Sequence, residues 1–301
     1  MDGRSGSTSR VWLVTGCSSG FGQFFVSAIL AREDKVIATA RDINSLGKLP
    51  LHHSNLRTLQ LDVTESQETL DAKVAQALEL FGRIDVLVNN AGYVMSGVWE
   101  EVSHEHTIEQ FSTNVFGVLN LTRATLPHMR SRRSGTIVFM SSIAGWRGAA
   151  ATGPYSSSKF ALEGAVESLH KEVQNLNIET LLVVLGMFRT NILMPERKKV
   201  IRTHAHGDYD SVIGSLKARH EKTMDKQPGD PQVAVERILD MVTRQGTMSG
   251  VKNLPLRMAL GSDALDIIRQ ECEETLKSLE RFQQFSQSTD FGEAEIIQTF
   301  Q

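Results

Sequence analysis

Cysteine is scarce. Cys17 and Cys272 are the two in 301 residues, far apart and without metal-ligand spacing, so neither a disulfide framework nor a metal site is expected. A reducing compartment, the cytoplasm, is the expectation that goes with this usage. An excess of charge of one sign is also missing. The formal net charge is −3, which gives no reason to expect nucleic acid or an anionic membrane surface as a partner. No apolar run approaches the roughly 20 residues of a membrane span, so no transmembrane segment is expected. The opening MDGRSGSTSR lacks the apolar core of a signal peptide. Its arginines and serines leave a very short transit peptide as the alternative to the plainer reading, a disordered leader over residues 1–9. Internal repeats are absent. What the chain does have is an ordinary apolar fraction, 41%, enough for one large core.

Apolar runs of strand length recur at Val11–Thr15, Val36–Ala40, Leu56–Val63, Ile84–Asn89, Thr136–Ser141 and Glu179–Leu185. Four of the six are nearly continuous rather than alternating, the pattern of strands buried on both faces of a parallel sheet. Between them Phe21–Arg32, Glu65–Phe81, Glu105–Arg130 and Tyr155–Leu176 carry apolar residues at three- and four-residue intervals. Alternating strand and helix implies βαβ units and an α/β fold with a doubly wound parallel sheet of Rossmann type. Nothing between residues 10 and 185 resembles a linker, so a single domain over 10–285 is expected. Beyond Gly186 the chain turns charged, and the cluster Glu196-Arg197-Lys198-Lys199 reads as a solvated helix face. Pro228-Gly229-Asp230-Pro231 begins a helix over Gln232–Thr243. Leu254–Leu260 is a last strand, whose Pro255 suits an edge. Ser262–Phe285 is a closing helix capped by Ser262 or Asp263, and 286–301 is a loose tail.

The stretch TGCSSGFG, residues 15–22, joins the first strand to the first helix. Backbone amides and the dipole at a helix start favour an anion, and glycine lets the backbone approach a pyrophosphate. A tight strand–helix turn is the plainer alternative. The spacing decides: Gly16, Gly20 and Gly22 fit T-G-x(3)-G-x-G and fit neither G-x-G-x-x-G nor T-G-x-x-G-x-x-G. In order along the chain there follow Asn89-Asn90-Ala91-Gly92 after the fourth strand, Asn114 in the next helix, Ser142 after the fifth strand, and Tyr155-Ser156-Ser157-Ser158-Lys159. With these motifs residues 10–190 resemble the short-chain dehydrogenase/reductase family, single-domain type. Gly229-Asp230-Pro231 and Leu256–Ala264 resemble the carboxyl-terminal segment of 17β-hydroxysteroid-dehydrogenase-like members.

The resemblance implies a nicotinamide dinucleotide held by Gly16, Ser18, Ser19, Gly20, Phe21 and Gly22. Arg41 follows the second strand, where an arginine accommodates a 2′-phosphate and an acid would bond a 2′-hydroxyl; with Ser18 as a second donor, NADP(H) is expected in preference to NAD(H). Asp42 works against this, since a carboxylate repels a phosphate. The resemblance places Asp62 on the adenine amino group, Val63 on the ring, and Asn90, Ala91 and Gly92 along the adenosine and ribose. Asn89 ties strands together. Arg123, on the long fourth helix, is a further cofactor candidate, with plain surface exposure as the alternative. Cys17 is read as a small loop residue.

Reducing a ketone leaves an alkoxide that needs a proton. A tyrosine can give it, but its ordinary pKa near 10 is high for neutral pH, and a nearby cation lowers it. Tyr155 and Lys159 lie about one helical turn apart on one face. Lys159 is therefore expected to lower the Tyr155 pKa and to hold the nicotinamide ribose. Ser142 polarises the substrate oxygen, and Asn114 holds a water linking Lys159 to solvent. The family's usual Pro-Gly after the sixth strand is Leu185-Gly186 here. Losing the proline removes a fixed φ, so a less rigid loop is expected, with Thr190 on the carboxamide and Phe188 beside it. Val94, Met95, Trp146, Met187 and Phe188 are expected to line a pocket for a bulky apolar ketone or alcohol, under a lid formed by residues 187–230. A homodimer or homotetramer through the fourth and fifth helices is expected by analogy. Two rivals stand beside this reading: a non-catalytic nucleotide-binding scaffold on the same fold, and an epimerase or dehydratase of the longer branch.

Overall fold

A computed structural model of the chain describes residues 9–190 and 199–291. Seven strands form one parallel sheet: β1 (Val11–Val14), β2 (Lys35–Ala40), β3 (Leu56–Gln60), β4 (Val86–Asn89), β6 (Gly135–Ser142), β7 (Ile178–Leu185) and β9 (Arg257–Leu260). A separate two-stranded ladder joins β5 (Met95–Ser96) to β8 (Lys199–Val200). The helices are α1 (Phe21–Ala31), α2 (Gln67–Phe81), α3 (His104–Phe111), α4 (Val118–Arg132), α5 (Gly153–Val173), α6 (Asp210–Thr223), α7 (Pro231–Thr243) and α8 (Ser262–Gln287).

The strand order is β3-β2-β1-β4-β6-β7-β9. Chain direction across the sheet reverses between β1 and β4, and the crevice at such a switch point is where this architecture binds ligands. Because side chains alternate across a strand, each face receives its own core. Trp12, Val14, Val36, Ala38, Val86 and Val88 pack with α1 and α7. Leu13, Ile37, Leu87, Ile137 and Phe139 pack with α2, α4 and α5. Burial on both sides explains the near-continuous apolar runs. The one large polar tip among them is satisfied: Trp12 Nε1 donates to Asp34 Oδ2 at 2.9 Å.

Several expected boundaries move, for physical reasons. β3 ends at Gln60, and Leu61, Asp62 and Val63 leave the ladder to line the cleft described below. The helix expected over Glu105–Arg130 is two helices joined by a π-helical segment, Ser112–Gly117. Gly117 lets this segment press against Val63, whose carbonyl oxygen would lie 2.6 Å from an added Cβ. The last strand starts at Arg257, after Pro255, and sits at the sheet edge against β7. The β5–β8 ladder was not foreseen: two residues are too short for a periodic signal. α8 runs to Gln287, beyond the expected end. Residues 1–8 of the expected leader, 292–301 of the expected tail, 191–198 of the expected lid, and with them Glu196, Arg197 and Lys198 of the expected solvated helix face, lie outside the described residues. Among the described residues no helix is long and apolar enough to cross a membrane, and no group of three or more His, Cys, Asp or Glu side chains is placed to hold a metal ion.

Candidate active site

The turn after β1 opens into a cleft of ≈ 1020 Å³ at the switch point. Gly16 turns there with φ +70°, and its Cα faces Ala91, whose own Cα would lie 3.0 Å from an added Cβ. Gly22 is tighter still: an added Cβ would meet the Gly16 carbonyl oxygen at 2.2 Å and Cys17 Cα at 2.7 Å. Thr15 stitches this turn to the next. Its hydroxyl accepts from Asn90 N and Ala91 N, both at 2.9 Å, and Asn90 Nδ2 donates back to the Thr15 carbonyl at 2.8 Å. Ser66, Ser103 and Asp230 cap α2, α3 and α7 with side-chain oxygens, whereas Gly20 gives α1 no cap and its first turn carries no acid. Its first amides thus point towards the cleft without a side-chain acceptor, which suits a pyrophosphate.

The far wall of the cleft carries Arg41, Asp42 and Ser45 beyond β2, and Asp62, Val63 and Thr64 beyond β3. Asp42 is less of an obstacle to a phosphate than its charge implies, because its Oδ1 caps the next turn by accepting from Asn44 N at 2.9 Å. Asp62 likewise accepts from Thr64 N and Thr64 Oγ1 through Oδ1. Asn89 bonds α4 rather than a strand, donating to Thr122 Oγ1 at 3.1 Å. Cys17 is buried, donates to the Val14 carbonyl, and is pushed up to about 12 by desolvation, so it is no thiolate nucleophile.

A second, mainly apolar pocket of ≈ 440 Å³ adjoins the cleft, and Phe21, Asn90, Gly92, Tyr93 and Thr190 line both. Ser142 ends β6 here, and Tyr155 and Lys159 face it from the first turns of α5. The Tyr155 hydroxyl hydrogen-bonds Ser142. The Lys159 Nζ lies 5.9 Å from the Tyr155 ring centre and donates to the Met140 carbonyl at 2.8 Å. Burial pushes Tyr155 above its ordinary value, and the Ser142 hydrogen bond pulls it partway back. This corrects the expectation that Lys159 lowers it: the ammonium is turned to a backbone carbonyl and is itself lowered to about 8 by desolvation. Glu163, a turn further along α5, opposes that loss of charge. It is buried, and accepts from Ser141 Oγ at 2.7 Å and Arg257 Nε at 2.9 Å.

Asn114 stands in the π-helical segment, a feature frequent at functional sites. Its Oδ1 accepts from Tyr93 N, and its Nδ2 donates to the Tyr93 carbonyl at 3.1 Å and Ser158 Oγ at 3.2 Å. Ser158 in turn donates to the Tyr155 carbonyl. Both amide hydrogens are therefore spent on bracing, and the side chain has none left to donate to the expected water.

The loop after β7 is held in three ways. Phe188 packs edge-on to Phe21, with ring centres 5.5 Å apart. Phe188 also pairs with Gly229 across a short bridge. Asp263, in the first turn of α8, accepts from Met187 N through Oδ2 at 2.7 Å. Its Oδ1 fills the space beside Gly186, 2.0 Å from where a Cβ would stand. The looser loop expected from the missing proline is thus tied from the carboxyl-terminal helix.

These features gather motifs from six turns into one place, and the whole sequence agrees: residues 10–201 match the short chain dehydrogenase family. The chain belongs to that family. It is 36% identical over 256 residues to an uncharacterized oxidoreductase, YusZ, of Bacillus subtilis, covering 81% of this chain and 87% of the relative. It is 39% identical over 210 residues to a 3-ketodihydrosphingosine reductase of Bacteroides thetaiotaomicron, covering 69% and 75%. A short-chain dehydrogenase from Streptomyces avermitilis superposes with a TM-score of 0.83 at 36% identity, covering 94% of this chain and all of that one. The chain is accordingly an oxidoreductase of the short-chain dehydrogenase type on a single Rossmann-like domain.

Within this dehydrogenase frame the expected residues separate. Gly16, Ser18, Ser19, Gly20, Phe21, Arg41, Asp62, Val63, Asn90, Ala91, Gly92 and Thr190 line the cleft. Ser142, Tyr155, Lys159, Gly186 and Phe188 line the pocket. Gly22 and Asn114 stand behind them. Arg123 does not join: its Nη1 donates to Gln67 Oε1 at 2.9 Å and Asn120 Oδ1 at 2.6 Å, on the exposed side of α2 and α4. Two expected pocket residues also turn away. Met95 is fully buried with its amide on Gln110 Oε1, and Trp146 packs against the core below β6. Val94, Met187 and Phe188 do line the pocket. Tyr93, Ser96, Gln227 and Asp263 were missed. Asp263 had a cap-like sequence signal but none for its partner; the others carry no local pattern.

Proposed function

We propose that the chain is an NADP(H)-dependent oxidoreductase that interconverts a ketone and a secondary alcohol on a bulky apolar small molecule, with Tyr155 as general acid and base. The observation that carries this reading is the junction of the two cavities. Ser142, Tyr155 and Lys159 stand at the wall of an apolar pocket that opens into a cleft suited to a dinucleotide. When bound, the dinucleotide supplies or accepts hydride at the substrate carbon. Arg41 at the cleft's far wall supports a 2′-phosphate, and Ser18 in the turn after β1 lines the same cleft as a further donor.

In reduction, Ser142 Oγ donates to the carbonyl oxygen and polarises it. Tyr155 gives its hydroxyl proton to that oxygen as negative charge develops there, leaving a phenolate. The Lys159 ammonium, held on the Met140 carbonyl 5.9 Å from the Tyr155 ring centre, keeps positive charge at the site, and that charge suits the cofactor ribose. Oxidation runs through the same groups in reverse. Residues 187–230 act as the lid: α6 contributes Arg219, His220 and Thr223 to the pocket rim. A cytoplasmic homodimer or homotetramer is the accompanying proposal.

The test is reduction of a panel of ketones, from small methyl ketones to bicyclic and long-chain ones, with NADPH and with NADH. Oxidation of NADPH that grows with substrate size and apolarity is expected. Equal Michaelis constants for the two cofactors would sink the NADP(H) assignment. Cofactor binding without turnover on any ketone would favour the scaffold. A changed substrate with no net cofactor oxidation would favour the epimerase or dehydratase.

A further inference from the structure

The apolar pocket contains two polar atoms that the fold leaves unsatisfied. Ser96 is 0% exposed and Gln227 3% exposed, and both line the pocket that carries Ser142 and Tyr155. Neither Ser96 Oγ nor Gln227 Oε1 has a hydrogen-bond partner among the described residues. A buried polar atom without a partner is destabilising, so two of them in one pocket need an explanation.

Both side chains are held where they are by the backbone around them. Ser96 is on β5, next to Met95; alternation along the strand sends the methionine into the core and the serine to the pocket side. Its own carbonyl accepts from Ile201 N at 2.8 Å. The Gln227 carbonyl accepts from Arg189 Nε at 2.8 Å, and the Phe188–Gly229 bridge pins the adjoining turn. The backbone at each position is therefore fixed. The same pocket has polar side chains in its lining, among them Thr152, Ser156 and Thr223, yet neither atom is bonded to one.

We propose that Ser96 and Gln227 form a polar subsite that receives a hydroxyl carried by the substrate away from its reacting carbon. The proposal rests on the ketone–alcohol reading above and narrows its substrate class to apolar hydroxyketones and the corresponding diols. A hydroxyl is the group that fits. Gln227 Oε1 needs a donor, and Ser96 Oγ can donate or accept. A hydroxyl does both, and it also satisfies the glutamine amide if its oxygen and nitrogen are exchanged. A ketone or ether oxygen serves only one of those arrangements.

Matched ketone pairs test this: decalone against its ring-hydroxylated derivatives, and a long-chain methyl ketone against its ω-hydroxy analogue. Each pair is run with NADPH on the wild type, Ser96→Ala and Gln227→Met. The wild type is expected to prefer the hydroxylated member of at least one pair by about tenfold to a hundredfold in kcat/KM, since a site built to bond a hydroxyl rejects the analogue that lacks it. In both variants that preference should shrink towards unity. Equal kcat/KM across every pair in the wild type would overturn the subsite and leave ordered water as the partner of both atoms. A preference that survives in both variants would overturn it too, because the hydroxyl would then be read elsewhere. If no ketone of either kind turns over, the proposed reaction fails and the subsite is judged by calorimetric titration of the same pairs. Tighter binding of the hydroxylated member, lost in the variants, supports it; equal affinity rejects it.

Discussion

The cleft takes most of its walls from turns that directly follow β1, β2, β3 and β4, while the pocket beside it draws on segments scattered from Phe21 to Ile267. In the cleft, glycines and uncapped amides do the recognition, and their positions are fixed by the sheet. In the pocket, recognition falls to side chains brought in by the lid segment and by α8. The first kind of site tolerates little change in backbone and much in side chain; the second is the reverse. A dinucleotide needs the same cradle whatever the substrate, and that is why the two are built apart and share only the residues at their junction.

The sharpest way to separate the halves is at Tyr155. Tyr155→Phe removes the proton donor and leaves the ring. Ketone reduction should fall on the order of 10³-fold, while NADPH affinity, read by fluorescence titration, should stay within about twofold, because hydroxyl loss does not alter the glycine cradle. A parallel loss of NADPH binding would make Tyr155 part of the cradle and blur the division. Gly22→Ala attacks the other half. Its Cβ would overlap the Gly16 carbonyl oxygen, so the turn must move. Overpacking of this kind costs about 1–3 kcal/mol, and cofactor affinity should fall on the order of tenfold to a hundredfold. Calorimetry with an apolar ketone alone should detect little change. Unchanged NADPH affinity would show that the turn shifts at little cost.

pH separates the halves along another axis. Lys159 is lowered to about 8 from its ordinary 10.5 by burial. Reduction uses the ammonium, so kcat/KM for the ketone should fall about tenfold per unit as pH rises beyond 8. The stability sign is opposite. Between about 8 and 10.5 the unfolded chain holds a proton on this lysine that the folded chain has released, so this group's contribution to stability rises with pH across that window. The penalty for burying the charge is fully present below about 8. Denaturant titrations of the wild type and Lys159→Met at two pH values should show the wild type gaining on the variant as pH rises. A reduction rate flat to pH 10 would remove Lys159 from the proton chemistry.

How much of this was visible beforehand follows the same division. The cleft was legible because its residues are adjacent in sequence to strand ends: Gly16 to Gly22, Arg41, Asp62 and Val63, and Asn90 to Gly92 each sit in a short motif whose spacing is set by a strand-to-helix turn. The sheet was legible because burial on both faces leaves continuous apolar runs such as Val36–Ala40. The π-helical segment was not, since Asn114 and Gly117 keep helical periodicity and the widening comes from contacts with Tyr93 and Val63. Nor were Ser96 and Gln227, which come to one pocket only after the chain has folded. Arg123 was misplaced because a helix face alone does not say which neighbour an arginine will reach.

Arg41→Ala tests the cleft at its most exposed point. Loss of a charged contact to a 2′-phosphate should reduce the NADPH-over-NADH preference by about tenfold. The effect should come through the NADPH Michaelis constant and leave the NADH constant unchanged. A preference that does not move would leave Ser18 to read the phosphate, or would make the protein indifferent to it.

The smallest effect is expected where the halves meet. Asp263 ties Met187 N from α8 and occupies the space beside Gly186, so it holds a loop that borders both halves. Removing it by Asp263→Ala leaves an amide that can find water in its half-exposed setting, which limits the cost to about 1 kcal/mol, or roughly fivefold. The loop carries Phe188 and Thr190, and Thr190 lines both cavities, so the Michaelis constants for NADPH and for the ketone should rise together, with kcat less affected. Asp263→Asn keeps one acceptor oxygen and should restore most of the loss if the hydrogen bond to Met187 is what matters. If Asn behaves like Ala, the negative charge rather than the tether holds the loop. If neither variant moves either constant, Phe188 on Phe21 and the Gly229 bridge suffice, and a rigid loop here needs neither the proline nor its substitute.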